Sequence, residues 1–160
     1  MSGTVVLSFD CELGWGRIED GGWRHLEAEG LYERTLPVLS RVIETLESRA
    51  IPSTWAFVGS LFEVPDPAAL DHLPAAYRAE TERFIHEAQP STRSLDSLLP
   101  AFRRLGPMLD LGSHSSTHVR ARTPGSDTRT MAADFELSLR QLERSFDRPV
   151  TSVIFPRDEL

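Results

Sequence analysis

Hydrophobic positions along the chain alternate between short continuous runs and stripes at helical spacing. Thr4-Val5-Val6-Leu7-Ser8-Phe9 is β-branched and almost continuously apolar, which predicts a strand buried on both faces. A loop with Gly14, Gly16, Gly21 and Gly22 follows, interleaved with Trp15 and Trp23. From about Leu36 or Pro37 to Arg49, residues Val38, Leu39, Val42, Ile43 and Leu46 recur at helical spacing, and Pro37 suits a first turn. Ile51-Pro52 marks a turn into a second apolar run, Ser53 to Gly59, so strand, helix and strand predict a parallel βαβ unit. Residues 60–106 are polar and helical in pattern but broken by Pro65, Pro67, Pro74, Pro90 and Pro100, which predicts an insertion or lid of short helices. A third strand is expected at Met108–Gly112 and a second long helix at Thr128–Phe146, with Met131, Phe135, Leu139, Leu142 and Phe146 on one side. A fourth strand is expected at Val150–Phe155. The pattern defines a single α/β domain over residues 1–160, either half of a (β/α) barrel or a small open parallel sheet.

Composition narrows the functional classes. A chain of 160 residues with 40% hydrophobic content can bury one sizeable core. Its net charge of −7 argues against a nucleic-acid partner or an anionic membrane surface. Cys11 is the single cysteine, so no internal disulfide forms. Met1-Ser2-Gly3-Thr4 runs straight into the first strand without a basic or apolar leader, and no run approaches a membrane span. A cytoplasmic protein is the expectation.

Chemistry gathers at the strand ends. In a parallel α/β sheet the binding crevice lies at the C-terminal edge. Asp10 and Glu12 follow the first strand, His114 and His118 the third, and Arg157 the fourth. Alternation along an extended segment sends Asp10 and Glu12 to one side and Cys11 to the other. Glu12, His114 and His118 form a two-histidine, one-carboxylate set suited to a divalent metal, zinc above all, with iron, cobalt or manganese also compatible. Asp10 would act as general base, oriented by Arg157. In the rival assignment Glu12 is an ordinary loop carboxylate and Asp10 the sole acidic ligand. Cys11 reads as a small buried hydrophobe, Trp15 and Trp23 as core, and His25, His72 and His86 as isolated residues outside the site. Ser115 and Ser116 lack a separate activating histidine and acid, so they are not nucleophiles.

Ser8-Phe9-Asp10, His114-Ser115-Ser116-Thr117-His118 and Phe155-Pro156-Arg157, in that order, resemble the first three motifs of the polysaccharide deacetylase family. This is the NodB-homology group, carbohydrate esterase family 4. The resemblance runs from about Thr4 to Arg157. It implies an irregular (β/α) barrel, a divalent metal held by Glu12, His114 and His118, a catalytic base in Asp10, and an orienting arginine in Arg157. It also implies removal of acetyl groups from N-acetylated sugars, although relatives hydrolyse other carbon–nitrogen bonds, including small non-sugar amides and ureides. Cys11 stands where many members carry a second aspartate. The family's later motifs, including a leucine–histidine segment that supplies a general acid, have no counterpart before Leu160. The expectation is therefore a barrel truncated at about four strands, with an open apolar edge on the fourth that a homodimer mate or a second chain would cover. Such a domain would be either a deacetylase or a catalytically weak metal-binding module.

Overall fold

The computed structural model describes residues 5–158. Its first strand, β1, is Ser8–Cys11, shorter and later than the apolar run predicts. Thr4 lies outside the described residues, and Val5 and Val6 are 85% and 77% exposed rather than buried. The reason lies in the neighbouring strand. Thr54 N–H donates to the Leu7 carbonyl at 2.9 Å, and Pro52, two residues earlier, offers no N–H to continue the ladder.

Three further strands follow: β2, Ser53–Phe57; β3, Leu109–Ser113; and β4, Ser152–Val153. Together they form a four-stranded sheet in the order β1-β2-β3-β4, parallel throughout. The register decides the site. Cys11 pairs with Phe57, Phe57 with Ser113, and Ser113 with Val153, so these four residues lie in one row. The next residue on β1 is Glu12 and the next on β3 is His114; both therefore leave the sheet at the same height.

Six helices cover the sheet among the described residues: α1, Trp23–Ala28; α2, Leu31–Ser48; α3, Ala75–Glu87; α4, Pro90–Arg93; α5, Leu99–Arg104; and α6, Thr128–Phe146. Helix α2 begins earlier than expected, so Pro37 sits in its interior rather than its first turn. Buried Tyr32 anchors the added turns, and Gly30 at φ 66° supplies the entry that a β-carbon would strain. Pro37 faces solvent, where water can satisfy the carbonyl that its missing N–H leaves free.

Residues 60–106 do form short helices, but they are a layer of the core. Leu70, Phe84, Leu95, Phe102 and Leu105 are fully buried. Phe84 receives the edges of Trp15 and Trp23 at ring separations of 4.8 and 5.1 Å. Phe102 meets Trp55 and Phe57, each at 4.9 Å. Both tryptophans of the glycine-rich loop are thus core residues, and the Trp15 indole N–H donates to the Arg93 carbonyl at 2.9 Å.

Helix α6 spans the predicted residues. Its start is set by Asp127, whose carboxylate accepts from Thr130 N–H at 2.8 Å. Strand β4 is shorter than expected. Beyond Val153 the chain bends so that Phe155 packs on Phe135, at 5.2 Å, and then enters a 3-10 turn, Pro156–Asp158. Val153 is 50% exposed on this edge strand. Among the described residues no helix is long and apolar enough to cross a membrane.

Candidate metal centre

The chain leaving β3 does not become a helix. Ser115 and His118 adopt φ of 65° and 64°, left-handed values that turn the backbone twice within four residues. Such a turn needs support, and the residues between the histidines provide it. His118 N–H donates to Ser115 Oγ at 3.0 Å. Gly59 and Ser60 N–H donate to the Ser115 and Ser116 carbonyls at 2.9 and 3.2 Å, and Tyr77 Oη donates to the Thr117 carbonyl at 2.7 Å. Residues Ser113 to Val119 are all buried. The two serines are used for this scaffold.

Glu12 reaches the loop from β1. Leu13 reverses the chain at φ 44°, and a 3-10 turn, Leu13–Arg17, brings Gly16 beneath the Glu12 carboxylate. One ligand atom from each of Glu12, His114 and His118 then lies within 4.8 Å of the others, so this group could hold a metal ion. Glu12 Oε2 stands 2.6 Å from His118 Nε2 and 3.6 Å from His114 Nε2.

Two details fit a cation. His114 Nδ1 lies 3.1 Å from the Ile154 carbonyl, to which it donates, and this turns Nε2 toward Glu12. His118 Nε2 is buried and makes no well-aligned hydrogen bond despite the nearby carboxylate. A cation among the three would satisfy it. Burial alone would raise the Glu12 pKa, but the two imidazoles that face its carboxylate prevail and hold it well below the usual carboxylate range. The acidic member is thus available as a carboxylate.

The remaining predicted residues are placed differently. Asp10 lies at the strand end, exposed, and no hydrogen bond or ion pair to it is formed among the described residues. Arg157, at φ 58°, donates from Nη2 to the Gly16 carbonyl at 3.3 Å and acts electrostatically on Asp20; no hydrogen bond or ion pair joins it to Asp10. It lines a cavity of about 230 Å³ together with Trp15, Gly16, Glu19, Tyr77 and His118. Cys11 is buried, and desolvation, then the charges of Asp10 and Glu12, push its thiol pKa far up, so it stays protonated and unreactive.

Sequence reasoning missed the groups that hold the loop from α6. Asp134, Ser138 and Gln141 are buried on the face that also carries Met131 and Leu142. Ser113 Oγ donates to Ser138 Oγ at 2.8 Å, and Ser116 Oγ to Gln141 Oε1 at 2.8 Å. Asp134 accepts from Ser116 and Thr117 N–H at 2.9 and 3.0 Å. The available signal was a set of polar residues inside an apolar helical stripe, where burial without a partner would be costly. His72, which read as isolated, is 3.0 Å from Asp134.

No protein-family model matches the chain, and no curated protein matches it. The site is therefore defined by its own geometry.

Proposed function

We propose that this protein is a metal-dependent hydrolase of carbon–nitrogen bonds outside peptides, acting on an N-acetylated sugar to release acetate. The convergence of Glu12, His114 and His118 beyond one row of a parallel sheet carries the reading. The order of its motifs, which resembles that of polysaccharide deacetylases, supplies the substrate class. In this reading the four-stranded sheet is part of a (β/α) barrel.

Nitrogen–nitrogen–oxygen ligands at a buried strand end suit zinc. When bound, such an ion lowers the pKa of water and polarises the substrate carbonyl. Glu12 and the two histidines would hold it, and the Ile154 carbonyl keeps His114 in the tautomer that does so. Asp10, two residues before Glu12 and without a competing partner among the described residues, would take the proton from the attacking water. Arg157 would contact substrate in the cavity beside His118.

The separation of Arg157 from Asp10 favours a second reading, a metal-binding module with little turnover. One comparison decides between them. Zinc-loaded wild type should release acetate from N-acetylglucosamine oligomers, and Asp10→Asn should lose about a hundredfold or more of that rate. Zinc bound equally by both proteins with no acetate from either would leave the module reading. Unchanged metal content in both His114→Ala and His118→Ala would remove the metal assignment itself.

A further inference from the structure

Asp134 is fully buried, and its carboxylate accepts three hydrogen bonds and meets a ring nitrogen of His72. Oδ2 takes the N–H groups of Ser116 and Thr117 at 2.9 and 3.0 Å. Oδ1 takes the Thr117 hydroxyl and faces His72 Nε2, each at 3.0 Å. His72 lies between the 3-10 turn at Pro67–Leu70 and α3, with its side chain 15% exposed. Its other ring nitrogen, Nδ1, is 3.0 Å from the Ala69 carbonyl.

A carbonyl oxygen only accepts, so Nδ1 must carry a proton. A neutral imidazole would then present a bare Nε2, an acceptor facing an acceptor. Placing the missing proton on Asp134 instead would make an acid of a group that already receives three other donors, the arrangement of a carboxylate. A compensating charge also lowers the cost of burying a carboxylate. We infer that His72 stands as the doubly protonated imidazolium, ion-paired to Asp134, and that this pair positions the loop carrying His114 and His118. His72 and Asp134 are positioning residues; neither is a ligand of the three-residue set. The pair ties the insertion to α6, and its Asp134 member holds the two backbone N–H groups that lie between the histidines, so the ligand spacing depends on it. The consequence for metal affinity rests on the metal reading above, whereas the protonation assignment does not.

Nitrogen-15 NMR of metal-free wild type, labelled at histidine, should place both His72 ring nitrogens in the protonated range near neutral pH. One nitrogen in the unprotonated range overturns the assignment. In metal-free His72→Leu, the Ser116 and Thr117 amides should exchange with solvent about tenfold faster or more. Unchanged exchange in a folded variant overturns the positioning role. His72→Gln keeps a neutral donor without the charge and should recover only part of the protection; full recovery overturns the ion pair, and this variant carries the test if His72→Leu fails to fold. With zinc added, His72→Leu should bind it about 10- to 100-fold more weakly than wild type. Failure of wild type to bind zinc would count against the metal reading alone.

Discussion

Glu12 and Gly16 share a space that admits only one side chain. A β-carbon built on Gly16 would stand 2.3 Å from the Glu12 carboxyl carbon and 2.3 Å from Oε1. The carboxylate reaches the histidines by lying across bare backbone, which makes Gly16 a condition of the ligand set. Gly16→Ala is expected to displace Glu12 and weaken zinc binding by about 10- to 100-fold, the range found when ligand-supporting groups are lost. Competition with a chromophoric chelator measures this. Equal affinity in wild type and variant would detach Glu12 from the metal.

Zinc should also act as a folding ligand. An ion that binds the native site and not the unfolded chain stabilises by about 2.7 kcal/mol at a hundredfold excess over Kd. Thermal unfolding of wild type should therefore shift upward with zinc. His118→Ala, which removes a candidate ligand that is 3% exposed, should lose most of that shift.

The core prediction centres on Phe57. Its ring is fully buried and meets Phe62, Phe102 and Phe146 at 5.1, 4.9 and 5.4 Å. These partners come from the turn after β2, from α5 and from α6, so one ring joins three parts of the chain. Phe57→Ala should cost about 3–5 kcal/mol, read from the midpoint of urea unfolding. A loss below 1 kcal/mol would mean that the insertion does not pack here.

Asp110 gives a pH-dependent prediction. Its carboxylate accepts from Thr151 Oγ1 at 2.6 Å, Thr54 Oγ1 at 2.8 Å and Ser152 Oγ at 2.9 Å, clamping β2, β3 and the start of β4. The Thr151 hydroxyl is the largest cause of a lowered pKa; partial burial opposes it, and the Thr54 and Ser152 hydroxyls reinforce it. A depressed native pKa contributes stability that is present above the unfolded value and is lost as pH falls through the native one. Asp110→Asn should thus be less stable than wild type near neutral pH, by about 1 kcal/mol. The difference should shrink as pH is lowered below the ordinary aspartate range. A gap that persists undiminished in acid would assign the effect to something other than ionisation.

Most of the fold was readable because its elements follow local rules. The stripe from Met131 to Phe146 and the Asp127 cap specify α6 without reference to anything distant. The errors fall where a distant partner decides. Val5 and Val6 have strand composition but no neighbour to pair with, since Pro52 ends the adjacent ladder. Pro37 looks like a helix start until buried Tyr32 extends the helix past it. His72 looks isolated because its partner Asp134 is 62 residues away.

The site divides in the same way. Sequence alone picked out the candidate ligand types, since two histidines four residues apart and a carboxylate beyond the first strand are local features of composition and spacing. Only the tertiary structure decided that Glu12 meets them. That depends on the common row of Cys11, Phe57 and Ser113, on the reversal at Leu13, and on an empty Gly16. It also decided that Arg157 lies by Gly16 rather than on Asp10, and that buried polar groups of α6 hold the loop. Hydrogen bonds and ion pairs between residues far apart in the chain leave no periodic trace in sequence; they exist only once packing has brought the partners within about 3 Å of each other.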